Sequence, residues 1–174
     1  MYQYRGDFID NSWVQAKTSD EIRRVNPARP QELVFAFSYS EDHVEHAVAA
    51  AHRALPAWDK LGVLGRLPYL QRFRQALEAR QEALAQAISA EMGKALWEAR
   101  TEAAALLAKI DIMTGEGLQF TAPVHPQGLS GGSWQYRPLG VLAVLAPFNF
   151  PLHLANGHII PALATGNTLV VKPS

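Results

Sequence analysis

Cysteine is absent from all 174 residues. That removes a disulfide scaffold, a thiolate zinc site, an iron–sulfur cluster and a thiol nucleophile from within them. Acidic charge is absent from the last third. All sixteen Asp and Glu precede Leu118, and residues 118–174 carry only Arg137 and Lys172. Neither sign is in surplus, because sixteen Lys and Arg balance the acids. Nucleic-acid binders need a basic excess to displace counterions, so the balance argues against that class. A long hydrophobic run is also missing. Residues 138–171 have no formal charge, but Pro147, Pro151, Pro161, Asn149, Asn156 and Asn167 interrupt them. No apolar span of about 18 residues survives to cross a membrane. The first residues lack the apolar core of a signal peptide, so a cytoplasmic location is the expectation.

What is present is a globular composition, 48% apolar and 18% charged. Asp10-Asn11 reads as a turn between two short strands, 7–9 and 12–14. Residues 25–30 read as a loop and 33–37 as a compact apolar strand. Ser40 is placed to cap a helix along Val44, Ala47, Val48, Ala51 and Leu55, with Pro56 near its end. A second helix is expected from Leu67-Pro68 through Leu70, Phe73, Leu77, Leu84 and Ile88. A third carries Leu96, Ala99, Ala103, Leu106, Ile110 and Met113, ending at Gly115 or Gly117.

From Leu118 the pattern changes. Pro123, Pro126, Gly128, Gly131 and Gly132 make a loop, and 133–137 alternates like a half-exposed strand. Residues 140–146 are continuously apolar, as in a strand covered on both faces. A short helix over about 151–164 and a second apolar strand, 168–171, complete a βαβ unit. That unit implies a parallel sheet with a right-handed crossover.

Three constellations bear chemistry. Pro147-Phe148-Asn149-Phe150-Pro151 follows the first parallel strand, where open sheets place ligands. Asn149 there either donates to a developing oxyanion or caps the helix; spacing leaves both readings open. Lys172, at the end of the second strand, either reaches a nucleotide hydroxyl or phosphate or is simply solvated. Glu91-Met92-Gly93-Lys94, with Glu98 and Glu102 beyond it, reads as a structural charged helix start with i,i+4 pairing. His43, His46 and His52 fit a solvated helix face better than a metal site, and no metal is assigned. His153 and His158 face a substrate or sit in packing. Neither standard glycine-rich phosphate loop occurs.

Taken in order, Pro147-Phe148-Asn149-Phe150-Pro151, Pro161-Ala162-Leu163, Gly166-Asn167-Thr168 and Val171-Lys172-Pro173-Ser174 resemble the cofactor domain of the aldehyde dehydrogenase superfamily. Phe8-Ile9, Trp13-Val14, Asn26-Pro27, Trp58 and Glu91-Met92-Gly93-Lys94 fit the same family, so the resemblance covers essentially the whole chain. It implies an α/β fold: the N-terminal portion of an aldehyde dehydrogenase, an incomplete Rossmann-like parallel sheet preceded by an α-helical segment. Residues 1–117 would be the N-terminal strands and helices of the cofactor-binding domain. Residues 118–139 would hold a loop and an oligomerisation strand, and 140–174 the first βαβ unit.

The activity so implied is NAD(P)-dependent oxidation of an aldehyde to an acid, with NAD favoured over NADP, in a homo-oligomer acting on a small molecule. Asn149 matches the oxyanion-binding Asn and Lys172 the lysine on the adenosine ribose. Ala146, Pro147 and Phe148 would lie along the cofactor, and Phe150, His153 and Lys109 near the substrate. The run from His153 to Pro161 is most similar to the branch that oxidises succinylglutamate semialdehyde in arginine catabolism. The family's nucleophile is a cysteine, which this chain lacks, and its catalytic Glu motif is missing too. The expectation is therefore a fragment without turnover of its own. The other reading is a non-catalytic interaction or scaffold module derived from such an enzyme.

Overall fold

Asp10 and Asn11 both adopt left-handed backbone conformations, φ 50° and 60°, which short polar side chains tolerate. In the computed structural model, which describes residues 4–18, 20–128 and 131–174, they join β1 (Asp7–Ile9) to an antiparallel β2 (Ser12–Val14). A second hairpin pairs β3 (Glu21–Asn26) with β4 (Arg29–Ser38). Residues 25–30 are thus not an open loop but the end of one strand, a tight turn and the start of the next. Asn26 is the cause. Its buried side-chain oxygen accepts the Ala28 N–H at 3.0 Å, closing the turn from the side chain.

Four helices follow. The first, α1 (Asp42–Lys60), begins after Glu41 with no side-chain cap. Ser40 contributes only its carbonyl, to His43 N–H at 3.2 Å. Pro56 lies near the end of this helix as expected, inside it and about a turn before Lys60. The expected long second helix is two helices, α2 (Gly62–Glu78) and α3 (Gln81–Met92). Its start is Gly62 rather than Leu67, and Pro68 is interior. Gly62 and Gly65 are weak helix formers, so propensity hides the first turn. Tertiary contacts supply it: buried Arg66 donates to the carbonyls of Trp58, Asp59 and Ala164 at 3.1–3.3 Å. Gly93 ends α3 in the left-handed region, φ 69°, and α4 (Leu96–Thr114) matches the sequence expectation.

The central helix is α4, touching α2, α3 and α5 (His153–Ala164). Leu70, Ile110, Ile160 and Ala164 form one buried cluster where α2, α4 and α5 meet. Ala85, Ile88, Ala99 and Ala103 form another between α3 and α4. The small residues of the second cluster let those two helices approach closely. A 3-10 turn, Glu116–Thr121, follows α4. Of the glycine-rich loop after it, Leu129 and Ser130 lie outside the described residues. Residues 133–137 do not form a strand. One bridge, Val124 to Trp134, is made there, because no further residue of that stretch finds a backbone partner among the described residues.

The βαβ unit is present. β5 (Val141–Leu145) and β6 (Thr168–Lys172) pair in parallel, from Val141↔Thr168 to Leu145↔Lys172, with α5 between them in sequence. Asn167 pins the entry to β5, its side-chain oxygen accepting Leu139 N–H at 2.7 Å and Gly140 N–H at 3.0 Å. Thr168 ties β6 to α1 by donating to the Ala51 carbonyl at 2.9 Å. The expectation of burial on both faces is corrected. Val144 is buried, but Ala143 and Leu145 on either side of it are exposed. Successive strand side chains alternate faces: α1 covers the Val141–Thr168 start of one face through Thr168, and the Ala143–Leu145 end of that face is left open.

Candidate active site

The carboxyl ends of β5 and β6 meet where Ala146 N–H donates to the Lys172 carbonyl at 3.0 Å. This bond sets Ala146 beside Lys172 at the edge of a cleft of about 550 Å³. Ala146, Phe148 and Lys172 line one side; Arg23 and Arg24 of β3 and Glu91 of α3 line the other. Three of the sequence-predicted cofactor residues therefore share one cleft, and Pro147 lies between two of them in the chain. Three cationic side chains give the cleft a positive character. Burial raises the Glu91 carboxyl above its usual range.

The loop 147–151 leaves this cleft toward α5. Asn149 is exposed at its middle, and its side chain makes no hydrogen bond among the described residues. The capping alternative for Asn149 is overturned. The α5 N-terminus has no side-chain cap from its own loop. Its first amides are taken from another helix: Glu102 of α4 accepts Leu152 N–H at 3.1 Å and His153 N–H at 3.2 Å through Oε1. Helix N-termini carry partial positive charge, so a buried carboxylate is well placed there.

Glu102 has a second partner. Its Oε2 accepts from Lys94 Nζ at 2.9 Å, with only 1% of the Glu102 side chain exposed. Lys94 also sits 4.0 Å over the Phe150 ring, a cation–π contact. Phe150 in turn lies edge-on to His153, ring centroids 6.4 Å apart. His153 Nδ1 is buried with no hydrogen-bond partner among the described residues. The structure thus gathers Phe150 and His153 with Lys94 and Glu102. Lys109 stands apart, on the α4–α5 seam, its Cε 3.9 Å from where a Cβ on Gly157 would be.

Glu102 and Lys94 are the residues whose connection to the site the sequence did not reveal. The i,i+4 pair of Lys94 and Glu98, 3.7 Å apart, is formed as the spacing implies. The signal for Glu102 was its position: a carboxylate beside Ala99, Ala103 and Leu106, the buried stripe of α4. An ionised group on such a stripe needs a partner. His43 does not gather with His46 and His52 around an ion; its Nδ1 meets Asp7 at 2.7 Å. No cluster of three metal-ligating side chains occurs among the described residues.

A parallel strand pair ends at a positive cleft, with a proline-flanked Asn on the loop beside it. The aldehyde dehydrogenase family model matches residues 13–174, and the chain belongs to that family. It is 45% identical over 168 residues to N-succinylglutamate 5-semialdehyde dehydrogenase of Burkholderia thailandensis, covering 96% of this chain and 34% of that protein. The chain thus spans about a third of the curated relatives it matches. Among solved structures it is similar to NADP-dependent glyceraldehyde-3-phosphate dehydrogenase from Bacillus halodurans C-125 complexed with NADP. There the TM-score is 0.87 at 28% identity, over 99% of this chain and 38% of that one. It is equally similar to the NAD-dependent aldehyde dehydrogenase from Sinorhizobium meliloti, TM-score 0.87 at 30% identity, over 95% and 34%. The fold is the N-terminal portion of that architecture.

Proposed function

We propose that these residues are the cofactor-side part of an NAD(P)-dependent aldehyde dehydrogenase whose substrate is N-succinylglutamate 5-semialdehyde. The observation that carries it is Asn149: an exposed amide with no partner among the described residues, on a proline-braced loop between a positive cleft and a helix start capped by Glu102. The residues lining the cleft fit an anionic dinucleotide. Lys172 and two arginines provide charge complementarity, Phe148 provides apolar surface, and the strand ends let a ligand approach main chain. When bound, the nicotinamide supplies the two-electron oxidant; NAD is the favoured form. Lys172 would hold the adenosine ribose, and Ala146, Pro147 and Phe148 would lie along the cofactor. Asn149 would donate its amide N–H to the oxyanion that forms when a nucleophile adds to the aldehyde. Phe150, His153 and Lys109 would border the substrate.

In this reading residues 1–117, 118–139 and 140–174 are the strand–helix part, the linking loop and the first βαβ unit of the cofactor domain. The enzyme is a cytoplasmic homo-oligomer. The 174-residue chain, having no cysteine, gives no sustained NADH formation with an aldehyde; turnover by this chain alone would sink the reading. In the complete enzyme, Asn149→Ala lowers kcat by about 100- to 1,000-fold, the usual effect of removing one oxyanion donor. Steady-state kinetics with the succinylated semialdehyde measure it, and a wild-type kcat would end the assignment.

A further inference from the structure

Asn149 has no side-chain hydrogen bond holding it among the described residues, and Phe148 beside it is 77% exposed. A catalytic amide donor must nonetheless keep one pose, since a displacement near 1 Å can cost about 100-fold in rate. Something outside the loop must fix it. At its entry, Ala146 is held by the strand bond to Lys172. At its exit, within two residues of Pro151, both free amides converge on Glu102 Oε1.

We infer that the buried Lys94–Glu102 pair is a positioning device for Asn149, acting through the loop exit and Phe150. The inference rests on the oxyanion role proposed above for Asn149. Two independent contacts carry it. Glu102 clamps the amides of Leu152 and His153 from the neighbouring helix, where the loop turns into α5. Lys94, bound to the other oxygen of the same carboxylate at 2.9 Å, lies on the ring of Phe150, the residue directly after Asn149. One ion pair therefore grips the loop at two points, by hydrogen bonds and by a cation–π contact. Glu102 is buried and Lys94 nearly so, at 1% and 12% side-chain exposure, so solvent screens the pair little. Removing Lys94 leaves the carboxylate on the two amides without its counter-charge. Neutralising Glu102 weakens both grips, because the amides lose a charged acceptor and Lys94 is free to leave the ring.

The test uses the complete enzyme. Glu102→Gln and Lys94→Met are expected to lower kcat about 10- to 100-fold with little change in KM for the aldehyde. Lys94→Arg, which keeps the charge, should restore most of the rate. The decisive readout is a double-mutant cycle. Adding Glu102→Gln to Asn149→Ala should cost nothing further, because Glu102 acts through a residue already removed. Amide hydrogen exchange of 147–153 should rise in Lys94→Met while other core segments stay protected. Multiplicative losses in the double variant, or unchanged exchange of the loop, would overturn the inference. If Glu102→Gln fails to fold, Lys94→Met, alone and combined with Asn149→Ala, still decides it. The two claims fail differently: a wild-type kcat for Asn149→Ala removes the oxyanion reading and this inference with it. A large loss for Asn149→Ala with full rates for Lys94→Met and Glu102→Gln removes this inference alone.

Discussion

Gly166 shows how one residue can hold a fold's connections in place. Its φ is +97°, a region closed to most L side chains. A Cβ there would lie 2.8 Å from Pro138 Cγ and 2.9 Å from Arg66 Nη1. Arg66 is the side chain that joins α1, α2 and the end of α5, so the clash falls on a shared support. Gly166→Ala should destabilise by about 2–4 kcal/mol, combining backbone strain with displaced packing. Gly62→Ala is the control. Its φ is +65° but nothing lies within 4 Å of the added carbon, so only the left-handed backbone cost of about 1–2 kcal/mol remains. Urea unfolding of the two variants separates these terms, and equal losses would refute the steric account. At this scale the sequence was informative where a residue acts within its own segment. The Asp10-Asn11 turn announces itself by type. Glu102 and Arg66 did not, because their partners lie 50 and 98 residues away, and no local pattern encodes such a distance.

At the level of elements, charge links helices that also share buried apolar clusters. Arg74 of α2 holds Asp111 of α4 through two parallel bonds, 2.7 and 3.0 Å. Arg100 of α4 holds Glu82 of α3 in the same way, at 2.9 and 2.8 Å. Hydrogen bonds from these arginines pull both carboxyls below their ordinary range. A carboxylate with a lowered native pKa binds fewer protons when folded than when unfolded. Its contribution is thus present above the unfolded value and disappears as pH falls through the native one. The melting temperature should therefore drop between about pH 5 and pH 3, and Asp111→Asn with Glu82→Gln should flatten that decline. At neutral pH the same double variant should lose as much stability as its acid decline is flattened, a modest amount for exposed pairs. An acid limb unaltered by both substitutions would remove these pairs from the account. Each arginine–carboxylate bridge couples α4 to one of the two helices that sequence periodicity had merged. Hydrophobic spacing located α4 and the βαβ unit within a few residues, since each has a regular stripe or an apolar run. It missed the α2–α3 break because Ala79-Arg80 carries no Gly or Pro signal. It missed the first turn of α2 because two glycines speak against a helix that Arg66 then enforces.

For the whole molecule, the uneven charge noted along the sequence becomes a spatial asymmetry. The acidic and basic residues of the first 117 positions solvate the helices, while the uncharged stretch 138–171 supplies most of a two-stranded sheet that is open on one face at its Ala143–Leu145 end. Leu145 is 75% exposed and Leu139 91%. Two parallel strands also leave two edges of unpaired amides and carbonyls, the usual template for edge-to-edge association. Each feature alone is tolerable, because exposed apolar residues are common on any surface. Together they set a largely apolar face between two unpaired edges, with Lys172 beside Leu145 at one end of it. The 174-residue chain should therefore self-associate with rising concentration in light scattering, and added salt should not disperse it, because the attraction is apolar. Leu145→Lys puts a charge on the open face at a position not buried in the core. It should lower the scattering at equal concentration without lowering the melting temperature. A wild-type chain that stays a monodisperse monomer with a cooperative melt would show that one covered face and α1 are enough to stabilise this sheet.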